Sequence, residues 1–503
     1  MLGELLTFAA EAQPDKPAVI VSSRSVSYRK LDAQAHALAL ALQRLGLRPG
    51  DRVAFQLPNG VEAAICYFAC FKAGLIGVPC NTRLTAPETV FVLEQSQACA
   101  YVGCREWYER FSPLRTELPL LDHVVLIDRD ELPGQVLSFH DLAGSNGTPL
   151  PALFPIDQDA GAVILYTSGT AARPKGVLHT HASLEACMRL WIDAAALGPD
   201  ERVLLMSPMM HMSGMGALLT TVFVSATATV VSPMNPAAAL DALEQFGCTQ
   251  TFGLPVAYHL LLAEQQRRPR RVDTLRCALG GGDSVPAPLI EEFRTTFGIP
   301  IQEGHGMSEC VPNLVNPRAQ LRQGSMGRPL PGVEARIDAA PGETGEVLLR
   351  SPGMFLRYWR DPEETRRAFE DGFLRTGDLA RVDAEGFFWF AGRCKEIIVH
   401  GGANVSPQEV EEALCRHPAV ALAGVFGTAD PVWGETVHAA VVLKAGSSAP
   451  HAALSDFLSG RLAEWKMPAS ITLVTDLPIG PTGKIQRRLL RERMSAAAAA
   501  LTR

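Results

Sequence analysis

The stretch that most constrains this chain is Tyr166-Thr-Ser-Gly-Thr-Ala-Ala-Arg-Pro-Lys-Gly176. An apolar run, Ala162-Val-Ile-Leu165, precedes it and reads as a buried strand, and a second apolar run begins at Val177. Between them lies a loop of small and hydroxylated residues that ends in Pro174 and Lys175. Small side chains let backbone amides approach a ligand, hydroxyls add donors and the lysine adds a cation. A triphosphate needs that set of groups. The spacing is not that of the Gly-Lys-Ser/Thr nucleotide loop, because Gly176 and Val177 follow Lys175. The alternative is a solvated turn between two strands.

A chain of 503 residues allows about three domains. Its 47% apolar and 20% charged residues are those of a soluble globular protein. A net charge of -7 and a pI near 6.0 disfavour a nucleic-acid partner, which wants a basic face. Glu4 and Glu11 interrupt the apolar character of the first residues, so no secretory signal is expected. The eleven cysteines form no Cys-x-x-Cys pair and read as reduced thiols of a cytoplasmic protein. Met212–Leu240 lacks any charge, but Gly214, Gly216, Pro233 and Pro236 break it, so it reads as core and pocket wall, with no transmembrane segment expected.

Before the loop, residues 18–21 and 52–56 read as strands and Leu31–Leu45 as a helix, an alternation that suggests α/β layers. Toward the end, Ser406, Pro407 and Glu409 have the spacing of a capping box with Pro at the first helical position. After it, the apolar runs Val437–Leu443 and 471–474, with helical 454–462 between them, read as a small α+β unit of roughly 100 residues.

The loop resembles the signature Thr-Ser-Gly-Thr-Thr-Gly-x-Pro-Lys-Gly of the adenylate-forming superfamily, which includes acyl-CoA synthetases, aryl-CoA ligases and peptide-synthetase adenylation domains. Thr167, Ser168, Gly169, Thr170, Pro174, Lys175 and Gly176 match it, whereas Ala171 and Ala172 replace a hydroxyl and a glycine. Further stretches follow in the order usual for that superfamily. They are Phe71–Pro79, Ser207–Met215, Thr251–Pro255, Leu279–Asp283, Gln302–Glu309, Gly324–Gly332, Phe373–Asp378, Trp389–Ile398, Gly401–Pro407 and Leu477–Lys484.

The resemblance implies an α/β fold with a large multi-layer N-terminal domain of sheets and helices, residues 1–394, and a small mobile α+β cap, residues 395–503. It also implies roles. Thr167, Ser168, Gly169, Thr170 and Lys175 would hold the phosphates. Gly281, Gly282, Asp283, His305, Gly306, Met307 and Ser308 would surround the adenine, with His305 where tyrosine is usual. Asp378 would anchor the ribose hydroxyls, as a carboxylate can accept both, with Arg393 close by. Glu309 would hold Mg2+, a cation that takes oxygen ligands and phosphates. His211, Met212, Gly214, Met215, Gly253 and Gly281 would form the acid pocket. Lys484 would reach the substrate carboxylate and α-phosphate, Lys395 would be the hinge, and Gly401 and Gly402 would let the thiol arm of CoA pass.

The chemistry implied is attack of a carboxylate on the α-phosphate of ATP, giving acyl-AMP and pyrophosphate, followed by displacement of AMP by CoA. No Lys or Arg occurs between Met206 and Leu262, so a second carboxylate on the acid would lack a partner there. Methionines and small residues suggest an adaptable apolar pocket, hence an apolar monocarboxylic acid, a medium- or long-chain fatty acid before an aromatic one. An aryl-CoA ligase, a stand-alone enzyme loading a carrier protein, and a nucleotide-binding homologue without turnover are the alternatives. A homodimer is left open.

Overall fold

The computed structural model describes the chain apart from residues 129–135, 145–154, 168–173, 234, 283–284, 395, 401–402, 431, 433, 460, 481–483 and 502–503. The apolar runs form strands at Pro17–Val21 and Arg52–Gln56, and the helix-period stretch forms the helix Tyr28–Arg44. That helix starts three residues before its apolar periodicity, because the Ser27 hydroxyl accepts the Lys30 amide at 3.4 Å and caps it.

The elements that bear on the site are β1 (Gly161–Thr167), β2 (Lys175–Thr180), α1 (His181–Ala195), α2 (Met212–Phe223), β3 (Cys277–Gly281), β4 (Ile301–Met307), α3 (Pro362–Ala368), β5 (Phe373–Val382), β6 (Phe388–Arg393), α4 (Pro407–Cys415) and α5 (Arg487–Leu501). Among the described residues, β1 and β2 lie in an eight-stranded sheet and β3 and β4 in a nine-stranded one. The strand Gln250–Gly253, β3 and β4 run parallel, so Gly253, Gly281 and Met307 all fall at carboxyl ends. Ligands of open α/β sheets bind outside such ends. A third sheet holds β5 paired with β6, and a fourth is built from residues beyond Ile398.

One apolar core takes residues from both large sheets and from the helices Tyr28–Arg44, Val61–Ala73, α1 and α2. Val61–Ala73 is apolar on every side and buried along nearly its whole length, as expected of a helix enclosed between layers. Its single cation, Lys72, survives burial because Asp32 at 2.8 Å and the Thr7 hydroxyl at 2.6 Å receive it. Ile398, Val405, Val410, Leu414, Val425 and Val437 belong to a separate core. Between these cores, Gly392 adopts φ +133°, and a Cβ there would meet the Ser406 hydroxyl at 2.8 Å, so glycine is required at the junction.

One expectation is only half met. Ser406 caps α4 through the Glu409 amide at 3.4 Å, but the Glu409 carboxylate does not turn back to the cap. It is taken by Lys466, whose ammonium lies 2.7 Å from both of its oxygens.

His179 and His181, at the β2–α1 junction, are buried. His179 bonds the Ser308 carbonyl at 2.7 Å and the Ser183 hydroxyl at 3.0 Å, whereas both nitrogens of His181 lack a partner among the described residues. Burial lowers each imidazole to about 4. Unfolded histidines titrate near 6.5, so between these values the unfolded chain binds more protons and acid favours it. The stabilisation is complete above pH ~6.5 and is lost as pH falls toward ~4, on the order of 3 kcal/mol per ring over the window. Thermal melts from pH 7.5 to 5 should show Tm dropping, and His181→Phe should make that drop shallower. A melting profile that is flat, or equally steep in the variant, would contradict this account of His181.

Candidate active site

β1 and β2 are antiparallel neighbours with Thr167 opposite Lys175, which brings the two ends of the small-residue loop together. Ser168, Gly169 and Thr170 lie outside the described residues. Gly176 is needed for close packing: a Cβ there would stand 2.8 Å from the Ile164 side chain. The Lys175 ammonium is paired with the Glu364 carboxylate of α3 and sits 5.1 Å from the centre of the Tyr358 ring. The Tyr358 hydroxyl donates to Glu309 Oε1 at 2.7 Å. Burial raises the Glu309 carboxyl above its ordinary range, opposed by the Tyr358 hydrogen bond and the charge of Lys175.

Across the cleft, β3 and β4 place Gly281 beside Gly304. A Cβ on Gly281 would meet the Gly304 carbonyl at 2.7 Å, and one on Gly306 would meet Val311 at 2.2 Å. Packing therefore requires glycine at both positions, and Gly282 continues the strand end at φ +82°. Asp283 is outside the described residues. Met307 ends β4, and the Ser308 carbonyl beyond it is held by His179.

Asp378 stands in the middle of β5. The turn before it is fixed by the Thr376 hydroxyl, which accepts the Asp378 amide at 3.1 Å, and by Glu346, which accepts the Gly377 amide at 2.8 Å. The buried carboxylate accepts from His305 Nε2 at 2.9 Å and pairs with Arg393 Nε at 3.1 Å. Burial is the largest single influence on it and opposes ionisation. The His305 hydrogen bond and the charges of His305, Arg393 and Lys484 together outweigh burial and hold the carboxyl below its usual value. Lys484 thus lies near enough for its charge to act on Asp378. Its carbonyl accepts the Gly480 amide at 2.7 Å.

His211 is the N-cap residue of α2, and its Nε2 is closed off from solvent without a partner among the described residues. Burial lowers it to about 4, so the ring is neutral at pH 7. Gly214 supports this turn, since a Cβ there would lie 2.2 Å from the Pro208 carbonyl. Beyond it, a small apolar cavity of about 10 Å3 lies between α1 and α2, lined by Cys187, Met188, Trp191, Met212, Gly216 and Val311 among others. The Trp191 ring stacks on Phe252 at 5.0 Å. Met215, by contrast, is fully buried in the main core, and Gly253 is packed against Met206, whose Cε a Cβ would meet at 2.4 Å.

The sequence reading missed two groups. Cys187, Met188 and Trp191 stand in an ordinary apolar helix pattern, and nothing local sets them apart from core residues. Tyr358 and Glu364 did carry a signal: Asp361-Pro-Glu-Glu-Thr365 reads as an N-cap followed by Pro at the first helical position. Lys395, Gly401 and Gly402 are outside the described residues.

Comparison with known proteins agrees with this geometry. Residues 6–359 match the AMP-binding enzyme family, and residues 409–484 match the AMP-binding enzyme C-terminal domain. The chain therefore belongs to the AMP-binding enzyme family, within the adenylate-forming superfamily, and is an enzyme of the AMP-forming acid–thiol ligase class. A feruloyl-CoA synthase from an Amycolatopsis species is 33% identical over 98% of this chain and 99% of its own. A medium-chain fatty-acid–CoA ligase of Escherichia coli is 34% identical over 96% of this chain and 88% of its own. The crystal structure of the anthranilate CoA ligase AuaEII with anthranoyl-AMP superposes with a TM-score of 0.92 at 29% identity, covering 99% of this chain and 98% of that one. Among the described residues no helix is long and apolar enough to cross a membrane.

If Asp378 binds the nucleotide, Asp378→Asn should raise the KM for ATP at least tenfold, since hydrogen bonds to charged groups contribute about 1.5–3 kcal/mol. ATP titration of acid-dependent pyrophosphate exchange checks this, and an unchanged KM would remove Asp378 from the nucleotide site.

Proposed function

We propose that this enzyme joins an apolar monocarboxylic acid to CoA in two steps, the first of which consumes ATP. The acid oxygen attacks the α-phosphate, the bond to the β-phosphate breaks, and acyl-AMP and pyrophosphate result. The CoA thiolate then attacks the acyl carbon, and AMP leaves. The observation that carries this reading is the convergence of Lys175, Glu309, Asp378 and the charge of Lys484 on one cleft between two sheets and the C-terminal unit.

Two anions must meet in the first step, so what the residues supply is orientation and charge neutralisation. Thr167 and Lys175 hold the phosphates with the loop between them, Asp378 takes the ribose hydroxyls, and the backbone at Gly281–Gly282 and Gly304–Met307 receives the flat base. The His305 ring is drawn onto Asp378 and so borders the base and ribose together. Lys484 neutralises the oxygens between acyl and phosphoryl groups. Preorganised donors of this kind are each worth roughly 2.7–4 kcal/mol. His211, neutral and unpartnered at Nε2, would meet the acid's carboxylate once the acid opens a way to that buried nitrogen.

Glu309 fits a magnesium ion. It is a buried carboxylate, raised by desolvation and given one neutral hydroxyl as its side-chain hydrogen-bond donor, and a cation would relieve that burial. No cluster of three or more potential ligands occurs among the described residues, so substrate phosphates would complete the shell. When bound, the ion would neutralise phosphate charge.

For the second step we place the hinge at Lys395, between units 1–394 and 395–503. Arg393 on one side is paired with Asp378, and Glu396 on the other is paired with Arg487 of the C-terminal unit at 3.0 Å. Only a few residues separate these anchors, which suits a hinge that absorbs a large dihedral change. Rotation there would withdraw Lys484 and bring the Gly401–Gly402 segment to the cleft for the thiol arm.

The acid is argued from the cavity. Its lining is apolar, and it holds no cation for a second carboxylate. A panel of acids in a pyrophosphate-release assay, followed by thioester detection with CoA, tests the reading. Failure of every acid to yield AMP would end it. Lys484→Ala should abolish adenylation while supplied acyl-AMP is still thiolated, and adenylation at the native rate would take Lys484 out of the mechanism. Trp191→Leu should shift the preferred acid toward bulkier members of the panel, and an unchanged ranking would remove this cavity as the acid pocket.

A further inference from the structure

The contacts around Lys175 include two residues that the proposed reaction does not yet use. The lysine points at Glu364 of α3, whose second oxygen lies 4.0 Å from Arg367, and it rests beside the Tyr358 ring. Neither partner is placed by chance. The Asp361 carboxylate accepts the Glu364 amide at 2.9 Å and caps α3. The Thr365 hydroxyl accepts the Tyr358 amide at 3.0 Å and donates to the Asp361 carbonyl at 2.8 Å. The segment 358–365 is therefore a self-bonded turn that holds a ring and a carboxylate at fixed places against the phosphate-loop lysine. The Tyr358 hydroxyl is bonded to Glu309, so one side chain touches both the cation meant for the phosphates and the carboxylate meant for the metal.

We propose that Glu364 and Tyr358 are positioning residues that hold Lys175 in a parked state, and that ATP takes the lysine by displacing it from Glu364. This rests on the reading that Lys175 binds phosphate. A cation in a half-buried cleft is unstable without a counter-ion, and a mobile lysine would lose much rotamer freedom on binding. Glu364 meets the first cost and the Tyr358 ring reduces the second. The same arrangement sets Glu364 against the incoming triphosphate, since like charges at this range repel. It thereby weakens ATP in the resting enzyme and favours departure of pyrophosphate, after which the ion pair re-forms.

The sign of the effect separates this role from a merely structural one. Glu364→Gln keeps the shape of the side chain and removes its charge. It should lower the KM for ATP with magnesium roughly three- to tenfold and slow pyrophosphate release, leaving the KM for the acid unchanged. Glu364→Asp, which withdraws the charge by one methylene, should fall between that variant and the native enzyme. In a Lys175→Ala background the glutamine substitution should lose most of its effect on Lys175-dependent binding, because contacting residues are not additive. ATP weakened by both Glu364 variants, or an unchanged KM in both, would overturn the parking role while leaving the phosphate-loop reading intact. Lys175→Ala with native ATP binding would instead overturn the phosphate-loop reading itself. Equilibrium nucleotide binding measured on each folded variant, with Tm as the control for folding, distinguishes these results.

Discussion

The structure turns on one buried negative charge. A carboxylate removed from water is costly unless donors and cations satisfy it, and Asp378 is satisfied from three directions. His305 reaches it from the nine-stranded sheet, Arg393 from the neighbouring strand of the third sheet, and Lys484 acts on it from the C-terminal unit. Each of the three belongs to a different part of the fold, so one side chain gathers positive charge from two sheets and from the C-terminal unit. A nucleotide ribose placed on Asp378 would enter that same set of contacts.

Much of the backbone was legible in the sequence because the strand ends and the first turn of α2 are written in glycine. Gly176, Gly214, Gly281 and Gly306 each stand where a Cβ would strike an atom closer than any side chain tolerates. Such positions are forced by backbone geometry, and a backbone constraint shows in one residue type at one place. Glu309 and Asp378 stand out in the sequence for a related reason, since Glu309 lies in the short turn after β4 and Asp378 follows Thr376-Gly377. The cavity wall does not. Cys187, Met188 and Trp191 obey the same helical periodicity as core residues, and only the packing of α1 against α2 decides that they face a cavity. Met215 shows the converse, because its neighbourhood of methionines suggested a pocket and the helix instead turns it fully into the core.

The role of His305 was only partly legible. The sequence put an imidazole where relatives have a phenol, which suggested a ring for the base to stack on. In the structure its Nε2 is committed to Asp378 at 2.9 Å, so the ring orientation is set by a hydrogen bond that a phenol could not make in the same way. On the reading proposed above, His305 would give up some stacking surface and instead orient the carboxylate that takes the ribose. A similar limit applies to Glu409, whose spacing announced a reciprocal cap until a long-range lysine claimed its carboxylate. Local patterns predict local bonds, and they fail where a distant partner of opposite charge offers a stronger one.

A cleft built for a polyanion would be expected to carry an excess of positive charge, yet here carboxylates and cations are nearly matched. Lys175 faces Glu364, Arg393 and Lys484 face Asp378, and Glu309 stands between the two groups. Matching has a physical consequence. On the reading proposed above, entry of the nucleotide would exchange protein carboxylates for phosphate and ribose oxygens around the same cations. The net gain of such an exchange would be modest, which would help AMP and pyrophosphate to leave. It also lets a chain of net charge -7 hold an anionic ligand without a basic face. Selectivity then comes from geometry, from which oxygens can reach which cation, and that geometry is set by the turns at Thr376–Asp378 and Asp361–Thr365.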